Sequence, residues 1–545
     1  MVKLLFDNIR ENFFKMKKLL LIKMAALSAA LTATMGIASC DFMGAPKEPA
    51  TSDSSAAQTT AAVSETTKDA KPAESESEAT EPSETEAVRP DYVAVKTIKG
   101  AVVGKNGKYS SKNNDENALL VKGDKIKVEL NAPSVSKAGD STSFQNSNFF
   151  GINAAVIGMG NARLTLNGGS VSTTGKGAHG VFSYGALGKQ NGLSGDGTLV
   201  TVNETKINTT GEGAGGIMIG DYGKVNITRA TVTTNGKSSP AIGTDKGGGT
   251  VSIGSKKKVS GGIFTTNGED SPVVRSIGEG GKITSYYADY TSNKSVCIVV
   301  DGKNTVTMYY AHLIANHSQL VNGQKIPCAI LLYESDPNGS DQETSKFEMI
   351  GGTLNNKIGH VFHITNTTGV ISISNVVITN EDKDKVLLSV SPDGLGEGDN
   401  VGIFNVANSK VEGNILVAKQ GKLTINLSNG STFTGMISGA VKGAGGEDIS
   451  SEQGIVYVNL ADGCTWNLTG DTTITTFRGN IENVKTNGFK LTIGEQTAGP
   501  TAAPQPTQPV AKKPTKKPKK PTKKPTKKPT KKPTKKPTKV PTKNP

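Results

Sequence analysis

VTTNGKSSPAIGTD (residues 232–245) returns 32 residues later as FTTNGEDSPVVRSI (264–277). The same frame is filled by VSTTGKGAHGVFSY from Val171, INTTGEGAGGIMIG from Ile207 and YTSNKSVCIVV from Tyr290, so the five starts lie 36, 25, 32 and 26 residues apart. A unit of this size that absorbs insertions cannot bury an apolar face alone. It does so by stacking on copies of itself, which is the logic of a solenoid.

Each unit opens with a short strand such as GKVNI (223–227), GKITSYY (281–287) or NTVTMYY (304–310). A second strand ends at Val232, Phe264, Tyr290 or Leu313, and a third follows a polar turn, as in PAI (240–242), PVV (272–274) and CIVV (297–300). Apolar and polar residues alternate in the first two, the mark of strands with one face buried. The Gly-, Asn-, Ser- and Thr-rich joints leave no run long enough for the helix of a βαβ unit. Three short strands per coil predict an all-β chain folded as a right-handed parallel β-helix solenoid.

The pattern continues through TLNNKIGHVFHI (353–364), VITNEDKDKVLLSV (377–390) and KLTINL (422–427). Residues 91–500 are thus expected to form about 14 to 16 coils, a rod on the order of 70 Å long at one strand spacing per coil. Residues 335–346 interrupt one coil and read as a projecting loop, and 465–494 as the last coils and cap. Asn235 and Asn267, in the repeated Thr-Thr-Asn-Gly turn, align with Asn293 and Asn316. Asn tolerates a left-handed bend, and its amide can bond to amides above and below, so these four are expected to form a structural ladder. In this the chain resembles the pectate-lyase-like β-helices.

The flanks differ in kind. Lys17-Lys18, the apolar run 19–22 and small residues up to Ser39-Cys40 read as a lipoprotein signal over residues 1–39, with Cys40 as the lipidated membrane attachment. An ordinary secretory peptide or an uncleaved anchor is the alternative, and Met16 an alternative start. Residues 40–90 are rich in Ala, Ser, Thr, Glu and Pro, with 11 acidic and 4 basic side chains in 41–90, and are expected to be a disordered acidic tether. The net charge of +14 comes from the tail: residues 501–545 hold 16 lysines and no acid, leaving −2 for the rest. This Lys-Lys-Pro-Thr repeat is expected to be extended and disordered, and to contact anionic cell-wall polymers or acidic polysaccharides. Without an aromatic residue to stack on bases it does not read as a specific nucleic-acid binder.

Catalytic parts are hard to find. Between residues 91 and 500 there are four arginines, Arg163, Arg229, Arg275 and Arg478, and none lies in a lyase-type arginine motif. Ala178-His179-Gly180 lacks the paired aspartates and Arg-x-Lys that would accompany it in a polygalacturonase. Asp245, Glu269, Asp270 and Asp301 fall in turns and read as solvated charge. His360 and His363, three apart on a strand, are expected on opposite faces, which disfavours a shared metal. His312 and His317 show no zinc-ligand pattern. No catalytic residue, metal or cofactor is called for. Cys297, Cys328 and Cys464 are too scattered for a disulfide framework. For Cys297 and Cys328, in neighbouring coils, either a bridge or burial as small apolar groups is compatible.

One pair of segments has a binding signature. TSYYADYTSN (284–293) and TMYYAHLIAN (307–316) lie 23 residues apart, placing Tyr286 over Tyr309 and Tyr287 over Tyr310. Two such ladders make a flat platform for a sugar ring or a partner's apolar group. The competing placement has one ladder in the core and the other at a corner. Aromatics are only 5% of the chain and Trp466 is its sole tryptophan, which argues against an extended aromatic cleft.

DENALLVKG (115–123), HGVFSYG (179–185), TTGEGAGGIM (209–218), GGGTVSI (247–253), FTTNGEDSP (264–272) and GCTWNLTG (463–470) resemble the large secreted β-helix proteins of gut and rumen Firmicutes. These are often labelled adhesin-like or pectin-lyase-like. The resemblance covers roughly 115–494 and departs at AIGTD (241–245), where relatives tend to carry arginine. It implies a fold and no catalytic residues. The expectation is a lipid-anchored protein on the outer face of the bacterial membrane, extending into the wall, with a non-catalytic rod that binds glycans or extracellular matrix. A carbohydrate-active enzyme (lyase or glycosidase) and a passive wall spacer are the alternatives.

Overall fold

The computed structural model describes residues 90–185, 197–316, 324–335, 343–396 and 398–497. The signal-like segment, Cys40, the tether up to residue 89, His317, most of the 335–346 interruption and the basic tail lie outside them. The described chain is all-β, with long parallel sheets, and its helical turns are Phe144–Phe150 and Ile481–Asn483.

One sheet holds 13 strands in chain order, from Val93–Ile98 to Ile437–Ser438, with every neighbouring pair parallel. The strands that open each repeat form a second parallel series, in which fourteen pairings link fifteen strands from Val102–Lys105 to Leu491–Thr497. Successive rungs of chain therefore pair in register, an arrangement compatible with a β-helical solenoid.

The register shows how the repeat makes a core. Val225, Val251, Ile283, Val306 and Phe347 align on one wall; Val232, Phe264, Tyr290, Leu313 and Leu354 on the next; Ile242, Val274, Ile298, Ile330 and Phe362 on the third. All are buried, and each such side chain contributes about 1.5–3 kcal/mol by leaving water. Phe264 and Tyr290 stack at 5.2 Å inside this core.

Two corners carry the geometry. Between the first and second strands of a rung one residue adopts a left-handed conformation: Glu204, Arg229, Gly254, Tyr287, Tyr310 and Gly351 all have φ between 50° and 68°. Such a residue breaks the in–out alternation and turns the chain without ending the pairing. After the second strand, Gly211, Gly236 and Gly268 pass so close to the preceding rung that an added Cβ would lie 1.8–1.9 Å from its carbonyl oxygen. No side chain fits there.

The outer face of the 13-stranded sheet is itself covered in places. Helix Phe144–Phe150 brings Phe150 against Phe182, Tyr184 and Met218 near one end. Towards the other end the antiparallel pair Val441–Lys442 and Asp448–Ser450 packs Val441 on Ile326, Val386 and Leu416. Excursions from the repeat thus wall in parts of a surface that the strands alone would leave flat.

Candidate functional site

The tyrosines sit on the outside. Tyr286 and Tyr309 stack at 4.6 Å and 6° between ring planes, and Tyr287 and Tyr310 at 5.0 Å and 6°. Neither ladder enters the core. The left-handed residues Tyr287 and Tyr310 reset the alternation, so Ser285 and Ala288 point inward while both tyrosines between them point out. Three of the four are half-buried and Tyr310 is 49% exposed. Gly254 and Gly351 bound the platform on the neighbouring rungs, Gly351 lying under the Tyr310 ring, where an added Cβ would meet it at 2.7 Å.

The asparagine amides run as a chain: Asn316 Nδ2 donates to Asn293 Oδ1 (2.7 Å), Asn293 to Asn267 (2.6 Å), Asn267 to Asn235 (2.8 Å) and Asn235 to Asn208 (3.1 Å). None of the four adopts the left-handed conformation expected from the turn; that falls to Ser238 and Asp270, three residues beyond Asn235 and Asn267. A second ladder, Asn131–Asn167–Asn203 at strand ends, and a third, Asn405–Asn426–Asn459 within strands, escaped the sequence reading, because no repeated tetrapeptide surrounds them.

Two of the four acids read as solvated are not. Asp245 and Asp301 are 4% and 7% exposed, whereas Glu269 is exposed and Asp270 half-buried. Arg275 from the next rung reaches Asp245 at 3.6 Å, and Asp301 accepts from the Ser335 hydroxyl (2.6 Å) and amide (2.8 Å). Burial nevertheless raises both carboxyls above their ordinary range. His179 is buried too, its Nδ1 accepting the Gly215 amide at 2.9 Å. Burial, reinforced by the Arg275 charge, pushes it down to about 3. His179 is a neutral structural acceptor.

Cys297, Cys328 and Cys464 are free thiols. Cys297 points into the main core, while Cys328 points out of the sheet into a cluster with Val296, Val299 and Leu331, so strand alternation keeps them apart.

The largest departure from the sequence reading is at His360 and His363. Val361 and Phe362 both enter the core, which interrupts the alternation and leaves the two histidines on the same outer face. Across from them the next strand carries a register shift between Val386 and Leu388. His360 Nδ1 and His363 Nδ1 each lie 2.7 Å from Ser389 Oγ. His363 Nε2 faces Asp393 Oδ2 at 3.1 Å, at an angle too oblique for a full hydrogen bond. Asp393 Oδ1 accepts the amides of Ile326 (3.0 Å) and Lys325. His363, Ser389 and Asp393 are buried; His360 is only half-buried and lines a cleft of about 1300 Å³. Ile358, Asp382, Val386, Leu416 and Lys442 share its walls. Burial, with a smaller effect of His363, holds His360 far below the ordinary imidazole range.

Among the described residues no group of three or more His, Cys, Asp or Glu is gathered to hold a metal ion. Comparison with protein-family models, curated proteins and solved structures finds no match.

Proposed function

We propose that this chain is a right-handed parallel β-helix with three short strands per rung, of the secreted adhesin-like class, acting as a non-catalytic binding protein of the bacterial surface. In this reading Cys40 carries the lipid, residues 40–90 hold the solenoid off the membrane, and residues 501–545 contact anionic wall polymers. The ligand is a glycan or matrix component.

One observation carries the reading: four tyrosines set as two flat, parallel, outward-facing stacks on adjacent rungs. Rings spaced 4.6 and 5.0 Å apart leave no gap for an inserted group, so their outer edges and faces act as a single amphipathic surface. Core packing does not need them, because the inward place in these two rungs is filled by Tyr290 and Leu313.

The test is a glycan array on the full chain, read for both binding and product formation. Saturable binding without cleavage is expected. Tyr286→Ala with Tyr309→Ala is expected to weaken it by about tenfold, in line with the roughly 1.4 kcal/mol available from one aromatic contact. Binding that is indifferent to all four tyrosines sinks the platform. Product formation would favour the enzyme reading, for which the carboxylates along the cleft are the observation in support.

A further inference from the structure

We propose that the buried chain Asp393–His363–Ser389–His360 presents a bare imidazole nitrogen, His360 Nε2, in the 1300 Å³ cleft as the acceptor for a hydroxyl of a neutral saccharide.

Proton counting sets the polarity. Two backbone amides donate to Asp393 Oδ1, and the proposal takes this carboxylate as the accepting end of the chain. Its Oδ2 lies 3.1 Å from His363 Nε2, and in an enclosed site two facing lone pairs at that distance are costly, so Nε2 carries the proton. With one proton on each imidazole, the polarity proposed here, His363 Nδ1 is an acceptor and takes the single Ser389 hydroxyl proton. Ser389 Oγ can only accept from its other neighbour, so His360 Nδ1 is the N–H donor. His360 Nε2 is left with a lone pair, and His360 is the one member of the chain that reaches the cleft. A surface imidazole exchanges freely between tautomers; here three buried groups select one.

The surroundings choose the ligand. Lys383 is paired with Asp384, and Lys442 with Asp448 at 3.1 Å. Asp382 accepts the amides of Gly359 and Asp384 at 2.8 and 2.9 Å. With Lys237, Glu269 and Asp270 the lining holds three lysines against four acids, so neither sign of charge dominates. The walls do offer aliphatic surface at the exposed Ile358, backed by the buried Val386 and Leu416, beside acceptor oxygens. A sugar, with C–H faces and donating hydroxyls, matches that mixture. The proposal adds a saccharide site to the one proposed above and does not depend on the tyrosines.

The experiment is a long-range ¹H–¹⁵N correlation on full-length protein labelled at histidine, titrated with cellohexaose, xylohexaose and mannohexaose. The expected result is His360 in the Nδ1–H form, with an unprotonated Nε2 resonance that moves saturably with at least one hexaose. Asp393→Asn is expected to redistribute the His360 tautomer and weaken the response by about tenfold, the loss of one hydrogen bond to a fixed acceptor. Ser389→Ala should do the same and Ser389→Thr should not. A wild-type His360 in the Nε2–H form, or one that ignores every hexaose, overturns the proposal even if the variants fail to fold. Repeating the titration on Tyr286→Ala/Tyr309→Ala separates the two sites: a surviving His360 response upholds this one whatever becomes of the platform.

Discussion

At the scale of single residues, His179 gives the sharpest expectation. Folded, it stays neutral down to about pH 3; unfolded, it takes a proton near pH 6.5. Its folded value is depressed, so its contribution is complete above pH 6.5 and lost progressively as pH falls towards 3, by up to about 1.4 kcal/mol per pH unit. Asp245 and Asp301, held above the carboxylate range, act in the opposite sense as pH rises past about 4. The difference between wild type and His179→Gln isolates the histidine. Urea unfolding between pH 7 and 5 should show wild type losing stability with a slope that the variant lacks; equal slopes would refute it. The sequence made His179 visible as a motif fragment but not as a buried, depressed group, because its surroundings include Ser147 of the Phe144–Phe150 excursion and the charge of Arg275, nearly a hundred residues away. The tyrosine stacks were legible for a simple reason: two ten-residue segments aligned without gaps. Their outward placement was not, since it depends on a left-handed corner residue that no tyrosine announces.

Among elements, the third strand of each rung is where local reading ran out. Val274–Ser276, Ile298–Asp301 and Cys328–Tyr333 are almost wholly buried on both faces. Continuous apolar runs foretell this, but not which polar side chains share the burial. The His360–His363 strand failed for the related reason that two consecutive core residues shift the phase of everything after them. Arg275 tests how such a strand is held. It sits between rungs bearing Asp245 and Asp301 and is the nearest cation to the buried Asp245 carboxylate. Arg275→Ala should cost roughly 3 kcal/mol at pH 7, since removing one partner leaves a buried charge uncompensated. The cost should shrink as pH falls, because burial raises the Asp245 carboxyl and protonation removes the charge that Arg275 answers. Matching denaturation midpoints for wild type and variant at pH 7 would show the pair to be incidental.

For the whole molecule, in-register rungs mean that neighbours supply nearly all of each other's stability. Val232 pairs with Phe264, so excising residues 232–263 joins equivalent points of two rungs. The shortened chain should fold with a similar circular-dichroism spectrum and a melting point lowered by a few degrees, the scale of about 1 kcal/mol. Excising half that length should abolish cooperative melting, because the junction then joins non-equivalent points of two rungs and interrupts the stack. Equal behaviour of the two deletions would argue against a modular stack. The same pairing has a mechanical side. The bonds between rungs point along the stack while the strands lie across it, so tension applied through the chain ends loads one rung at a time. Each rung that peels away releases about 25 residues, on the order of 80 Å of slack, before the next is strained. A molecule built this way yields length in small instalments under a nearly steady load, and so can stretch far without letting go.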